Sequence, residues 1–295
     1  MHLLEEKAAR QTQLWTDAPE ALQTLAARQE KLKTNPAMLE AFIQQGYTTT
    51  KSAVKRADID EFFREFRWAL ADPSVEIPMT YWQDGVHHHS VARPERLGFR
   101  EAKVLDLHVR LPACQRLIFS PVLLEFLTEV FEDEPVAFQT LYFEHGSQQG
   151  AHQDSAFVYT DPAAHFVASW IALENIGHGT GELFYFPKSH RLDVRFDNGE
   201  KKFDHDDPDS KRYSAALESM AEERGLRKEV FCPHQGQVLF WAADLIHGGQ
   251  PIVRPRTRRS LVTHYCPKRV AVPYASERSM QARRLASGGW VVAQY

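Results

Sequence analysis

The stretch LYFEHGSQQGAHQDSAFVY, Leu141 to Tyr159, decides how the rest of the chain is read. It opens on a β-like run, breaks at Gly146, and crosses a polar turn. His152-Gln153-Asp154 then stands directly ahead of a second β-like run. On a strand, residues i and i+2 point to the same side with Cα atoms about 7 Å apart, so His-x-Asp can deliver two metal ligands together. The pair alone leaves two readings open, a ligand pair or an ordinary strand histidine beside an acid.

Working outward, the C-terminal side continues as short β-like runs. They are 136–143, 155–160, 166–174, 183–187, 230–231, 238–241 and 260–265, separated by Gly, Pro, Asp and Asn clusters. Such a series predicts a sandwich or barrel rather than repeated βαβ units. A charged insertion over 191–228 interrupts it, with a helical segment near 213–224, and reads as a lid or binding loop. Toward the N-terminus, 1–45 is helical in composition, with Leu22, Leu25, Leu32, Leu39 and Phe42 at near-helical spacing and Pro19 and Pro36 at helix starts. Gly46 ends the last helix and 47–50 has strand bias. A further helix is predicted over Asp58–Leu70, capped by Asp58, with Phe62, Phe66, Ala69 and Leu70 on its buried face. Val104–Val109 reads as a strand, and Pro121–Phe131 as a helix opened by Ser120-Pro121. No repeat, low-complexity tract or linker divides the chain, so 1–295 is expected to be one domain, with 1–70 as helical flank and 99–267 as β core.

The composition, 43% hydrophobic and 25% charged over 295 residues, is that of a globular protein. A net charge of −4 provides no basic field for nucleic acid or anionic membrane, and no apolar run reaches the roughly 20 residues that span a bilayer. The opening Met-His-Leu-Leu-Glu-Glu has neither the basic nor the apolar region of a signal peptide. Cys114, Cys232 and Cys266 are isolated and form no C-x-x-C pair, which fits a reducing compartment and buried thiols. A cytoplasmic location is expected. The sequence leaves the oligomeric state open.

A mononuclear iron(II) site open to O2 needs three ligands on one octahedral face, and two histidines plus one carboxylate are the usual supply. His205-Asp206-Asp207 repeats the His-x-Asp pattern, but in a polar, turn-rich context that reads as a solvated loop. The third ligand candidate is His247, which follows the run 238–241 and precedes Gly248-Gly249, where close backbone approach is possible. His234 in a turn and His264 in mid-strand read as structural, and His190 as the brace of a turn. His87-His88-His89, in a loop flanked by Asp84 and Gly85, cannot all face one ion. Arg254, Arg256, Arg258 and Arg259 offer planar, bidentate cations for a carboxylate, and spacing does not choose among them.

Taken in order, these residues resemble the phytanoyl-CoA dioxygenase family of iron(II)/2-oxoglutarate oxygenases over roughly residues 40–267. The series runs Gly46-Tyr47, Lys103–Asp106, Leu141–Ser147 into His152–Asp154, Trp170–Leu173, Gly181–His190, Gly236–Trp241, His247-Gly248 and Arg258–Tyr265. The resemblance implies a double-stranded β-helix, a cupin-like jelly roll with the metal inside one open end. It implies His152, Asp154 and His247 as iron ligands and Arg258 as the 2-oxoglutarate clamp, with Trp170, Gln153, Leu141 and Lys103 lining the co-substrate pocket. Two positions depart from the family pattern. Lys188 replaces the glycine of the usual Pro-Gly-Ser-His, and Gly249 stands where some relatives carry a serine near the co-substrate.

The implied reaction consumes 2-oxoglutarate and O2, releases succinate and CO2, and hydroxylates a small metabolite. Asp154 argues against a halogenase, which needs that position empty. Desaturation, ring closure and epimerisation share these ligands, and a cupin-type non-redox metalloenzyme is the rival from another class. The sequence does not single out the substrate.

Overall fold

The computed structural model describes residues 13–195, 210–272 and 282–292. Helices α1 (Ala21–Arg28) and α2 (Pro36–Gln45) lead into strand β1 (Tyr47–Thr49), followed by helix α3 (Arg56–Ala71). Strands β2 (Pro78–Gln83), β3 (Val86–Val91) and β4 (Arg100–Leu105) precede three helices, α4 (Leu107–Arg110), α5 (Pro112–Ile118) and α6 (Pro121–Phe131). Then come β5 (Pro135–Phe143), β6 (Val167–Ala172) and β7 (Leu183–Tyr185), with α7 (Ser210–Glu223) before β8 (Glu229–Phe231). The chain continues through β9 (Val238–Ala242), β10 (His247–Gly249) and β11 (Ser260–Pro267) to β12 (Arg283–Arg284) and β13 (Trp290–Val291).

The larger sheet runs β1-β9-β6-β11-β5-β4-β2-β3, with β13 added to β5 in parallel. The smaller sheet is β10-β7-β8, and both sheets are otherwise antiparallel. This is the two-sheet, mainly β architecture with helical flanks that the sequence predicts. The strand period of two builds it. On β6, Ile171 points to the helices and joins Phe62, Phe66, Phe126 and Leu127, while Trp170 points inward and joins Leu239, Trp241, Val262, Leu183 and Tyr185. Each such large apolar side chain stabilises the fold by about 1.5–3 kcal/mol.

Several predicted elements shift. Helix α3 starts at Arg56 after Lys55, so Asp58 lies inside the first turn, where its charge favours the helix N-terminus, rather than at the cap. The strand expected over 104–109 stops at Leu105. Asp106 turns left-handed (φ 54°), its carboxylate accepts from Thr140 N, and α4 follows. Residues 155–160 form no strand, because a 3-10 turn over Asp154–Ala156 replaces it. Leu22 is 43% exposed and does not belong to the buried face. The three adjacent histidines lie on β3 rather than in a loop, since Asp84 and Gly85, both at positive φ, close a tight hairpin from β2. His205 and Asp207 lie outside the described residues.

Candidate metal centre

The two candidate histidines meet because their backbones pair. His152 N donates to His247 O at 2.8 Å and His247 N donates to His152 O at 3.0 Å. This bridge extends the β10 edge of the smaller sheet and sets the two imidazoles side by side, ring centroids 4.3 Å apart. Each ring bonds a carbonyl through Nδ1, His152 to Gly150 O and His247 to Leu245 O, both at 2.9 Å. A carbonyl only accepts, so both Nδ1 atoms carry the proton and both Nε2 lone pairs are left for a metal.

Asp154 reaches the pair by a route that strand geometry does not describe. The chain leaves the bridge after Gln153 and enters the 3-10 turn, which is held by Val158 N to Asp154 O (2.7 Å) and Ser155 N to Ala243 O (3.1 Å). Ser155 Oγ also bonds the Asp244 carboxylate. Asp154 Oδ1 lies 3.6 Å from His152 Nε2 and 3.5 Å from His247 Nε2. Its other oxygen, Oδ2, accepts from Trp241 Nε1 at 2.8 Å and His264 Nε2 at 3.1 Å, while His264 Nδ1 meets the Gln139 side chain at 2.7 Å. One oxygen is thus pinned and the other faces the imidazoles. All three groups are buried, and their ligand atoms lie within 4.8 Å of one another.

The charges agree with this geometry. Burial alone pushes the Asp154 carboxyl up, but the surrounding imidazoles of His247, His264 and His152 outweigh it and hold it well below the ordinary carboxylate range. Burial pushes His247 down to about 4 despite Asp154, which keeps the imidazole neutral and fit to ligate. Two imidazoles with Nδ1 committed to carbonyls and one carboxylate, with their outer atoms fixed, form a donor set that suits a divalent transition metal.

Arg258 is 2% exposed, just ahead of β11. Its Nε donates to Gly181 O (2.9 Å) and its Nη1 to Ser260 Oγ (2.7 Å), and the guanidinium lies 5.4 Å from the Trp170 ring and 5.6 Å from that of Phe143. Arg259, by contrast, pairs with Glu144 at 2.7 Å. Leu141 packs in the inner cluster with Trp170. Lys103 Nζ donates to Gln149 Oε1 at 3.2 Å, and burial lowers its pKa against the opposing pull of Glu101 and Asp154. The Gln153 side chain donates to Asp244 O at 2.6 Å and so braces the turn ahead of β10. At Gly249 an added Cβ would lie 2.9 Å from Ser147 Oγ, so a hydroxyl from a neighbouring loop fills the space that a serine here would enter. His190 bonds Ile43 O at 3.3 Å, as a brace.

Sequence reading passed over His264 and Trp241 as partners of Asp154. The signal was present for His264, since the period of two from Arg258 through Ser260 and Val262 puts it on the inward face. Helix α7 of the insertion packs Leu217 and Ala221 against Ala151, Phe184 and Ile246, and Tyr213 meets the Phe157 ring.

A model of the phytanoyl-CoA dioxygenase family matches residues 42–260. The chain belongs to that family, a class of non-haem iron, 2-oxoglutarate-dependent oxygenases. Phytanoyl-CoA dioxygenase domain-containing protein 1 of Mus musculus is 30% identical over 92 residues, covering 30% of this chain and 32% of that protein. Its Danio rerio counterpart is 32% identical over 88 residues, covering 28% and 30%. These matches span about a third of the relatives' length. Among solved structures, the α-ketoglutarate-dependent carbocyclase SnoK from nogalamycin biosynthesis superposes with a TM-score of 0.61 at 13% identity, covering 81% of this chain and 87% of that one. The epimerase SnoN from the same biosynthesis gives 0.59 at 17%, covering 93% and 99%. EctD from S. alaskensis with bound Fe gives 0.56 at 18%, covering 77% and 75%. The shared fold is the iron/2-oxoglutarate oxygenase jelly roll. No described helix is long and apolar enough to cross a membrane.

Proposed function

We propose that the protein is an iron(II)- and 2-oxoglutarate-dependent dioxygenase that hydroxylates a C–H bond of a small metabolite, releasing succinate and CO2. One observation carries this reading. Two histidines with free Nε2 atoms and a carboxylate with one free oxygen converge in a buried site, and Arg258 is buried against Trp170 of the inner core. His152, Asp154 and His247 would hold the iron. When bound, the metal and co-substrate supply the oxidising chemistry.

The chain's own residues set the geometry. Trp241 and His264 occupy Asp154 Oδ2 and so present Oδ1 as a single donor. Arg258, its plane fixed by Gly181 and Ser260, keeps further N–H donors for a distal carboxylate. Lys103, Leu141 and Trp170 would line the co-substrate pocket, and Gln153 would shape it through its bond to Asp244 O. Tyr213, on the first turn of α7, packs on Phe157, whose ring lies 5.6 Å from that of His152, so the pair can exclude water from the site.

The test has two stages. Anaerobic addition of iron(II) and 2-oxoglutarate should give a visible charge-transfer band that Asp154→Ala abolishes. A metabolite panel should then show substrate-stimulated succinate formation under O2, again absent in Asp154→Ala. Failure of the wild-type protein to form the band would sink the assignment. A hydroxylated product supports the proposed outcome, whereas a desaturated, cyclised or epimerised product would overturn it while keeping the metal site.

A further inference from the structure

We propose that His178, Glu182 and Cys232 form a second metal site, separate from the buried triad and suited to zinc(II). The three groups converge at the end of the smaller sheet. Cys232 Sγ lies 3.4 Å from His178 Nδ1, His178 Nδ1 lies 3.4 Å from Glu182 Oε1, and the ligand atoms all fall within 4.8 Å of one another. Zinc bonds of about 2.3 Å to sulfur and about 2.0 Å to nitrogen or oxygen give tetrahedral edges of roughly 3.3–3.5 Å. The two closest separations already match those edges.

Strand register brings two of the ligands together. Leu183 pairs with Phe231 in the antiparallel β7–β8 ladder, so Glu182 and Cys232 stand opposite each other one step beyond it. Backbone amides hold the Glu182 carboxylate. Gly179 N reaches Oε1 at 3.0 Å and Oε2 at 2.8 Å, and Thr180 N reaches Oε2 at 3.1 Å. Fixed outer contacts of this kind orient a ligand before the ion arrives. His178 comes from the loop that turns at Gly179 (φ +81°), and its side chain is 77% exposed, which leaves a path for the ion.

The donor set selects the metal. A thiolate with an imidazole and a carboxylate favours a borderline-soft ion over magnesium or calcium, and three protein ligands leave a fourth position for water. The other two cysteines are not competitors. Cys114 and Cys266 are buried, and among the described residues neither belongs to a cluster of metal-ligating side chains. An ion here would tie β7 to β8 beside Gly181, whose carbonyl holds Arg258. Its site shares no residue with the triad.

Cobalt(II) is the probe, because the triad contains no sulfur. The full chain, stripped of metal and kept reduced without added thiols, should develop a near-ultraviolet thiolate-to-cobalt band that saturates within two equivalents, the triad taking the other, and is displaced by zinc(II). Asp154→Ala should keep the band and Cys232→Ser should lose it. His178→Ala should weaken zinc binding at least about tenfold. Absence of the band in the wild-type protein, or its persistence in Cys232→Ser, would overturn the proposal. The comparison of wild type with Cys232→Ser decides the matter even if Asp154→Ala does not fold.

Discussion

Asp154 is a residue whose two oxygens have different employment, and the difference is testable. Oδ2 takes both hydrogen bonds, from Trp241 and His264, and Oδ1 faces the imidazoles. Trp241→Phe, which keeps an aromatic ring but removes the N–H, should weaken iron(II) binding by roughly 10–100-fold in anaerobic titration, and His264→Leu should do the same. Unchanged affinity in both variants would show that the carboxylate needs no outer support. Arg258 should separate cleanly from the metal. Arg258→Gln should raise the Kd for 2-oxoglutarate about 100-fold, because a buried charge partner is lost, while iron(II) affinity stays within about twofold. Arg258→Lys should recover only part of it, since an ammonium lacks the planar fork.

At the scale of elements, the turn after β7 carries a cost. Lys188 sits at φ +72°, where its backbone N–H donates to Gln45 O at 2.7 Å and anchors the turn to the end of α2. A lysine there bears left-handed strain that glycine avoids, partly offset by glycine's greater freedom in the unfolded chain. Lys188→Gly should therefore stabilise the protein by roughly 0.5–1 kcal/mol in urea unfolding, and Lys188→Ala should not. The same turn presses His190 against Gly46, where an added Cβ would fall 2.3 Å from His190 Nδ1. Gly46 is therefore required both for its φ of +78° and for the space beside it. The sequence marked Gly46 as a helix end. The second requirement arises only because residue 190 folds back onto residue 46.

For the whole molecule, His108 links regions far apart in sequence. Its fully buried ring bonds Thr140 Oγ1 on β5 at 3.0 Å and Val292 O near the C-terminus at 2.8 Å. Burial, opposed only by the Val292 bond, pushes its pKa down to about 4. The unfolded value is about 6.5, so between these limits the unfolded chain binds the extra proton. Stability is therefore complete above about pH 6.5 and falls as the pH drops toward 4. His108 alone contributes on the order of 3 kcal/mol to that loss. His190, also lowered to about 4 by burial and then by Arg191, acts in the same direction. Urea unfolding of the metal-free protein across this range should show the slope, and His108→Gln should flatten it. A pH-independent wild-type midpoint would contradict the assignment.

The strands of the core and helix α6 could be read from sequence because their causes are local. A period of two, β-branched and aromatic residues, and Ser-Pro or Gly punctuation act within a few residues of one another. The ordered motif series likewise named His152, Asp154 and His247, whose ligand atoms converge in one buried cluster, and Arg258, which is buried ahead of β11 against Trp170. Other features depended on contacts between distant segments. The bridge between His152 and His247 aligns the imidazoles, a 3-10 turn rather than a strand delivers Asp154, and a histidine 110 residues further on holds its second oxygen. The period of two turns His264 inward, but none of these pairings has a local signature, because each joins segments far apart in sequence. The roles of residues that act through neighbours, His264 above all, become visible only when those neighbours are in place.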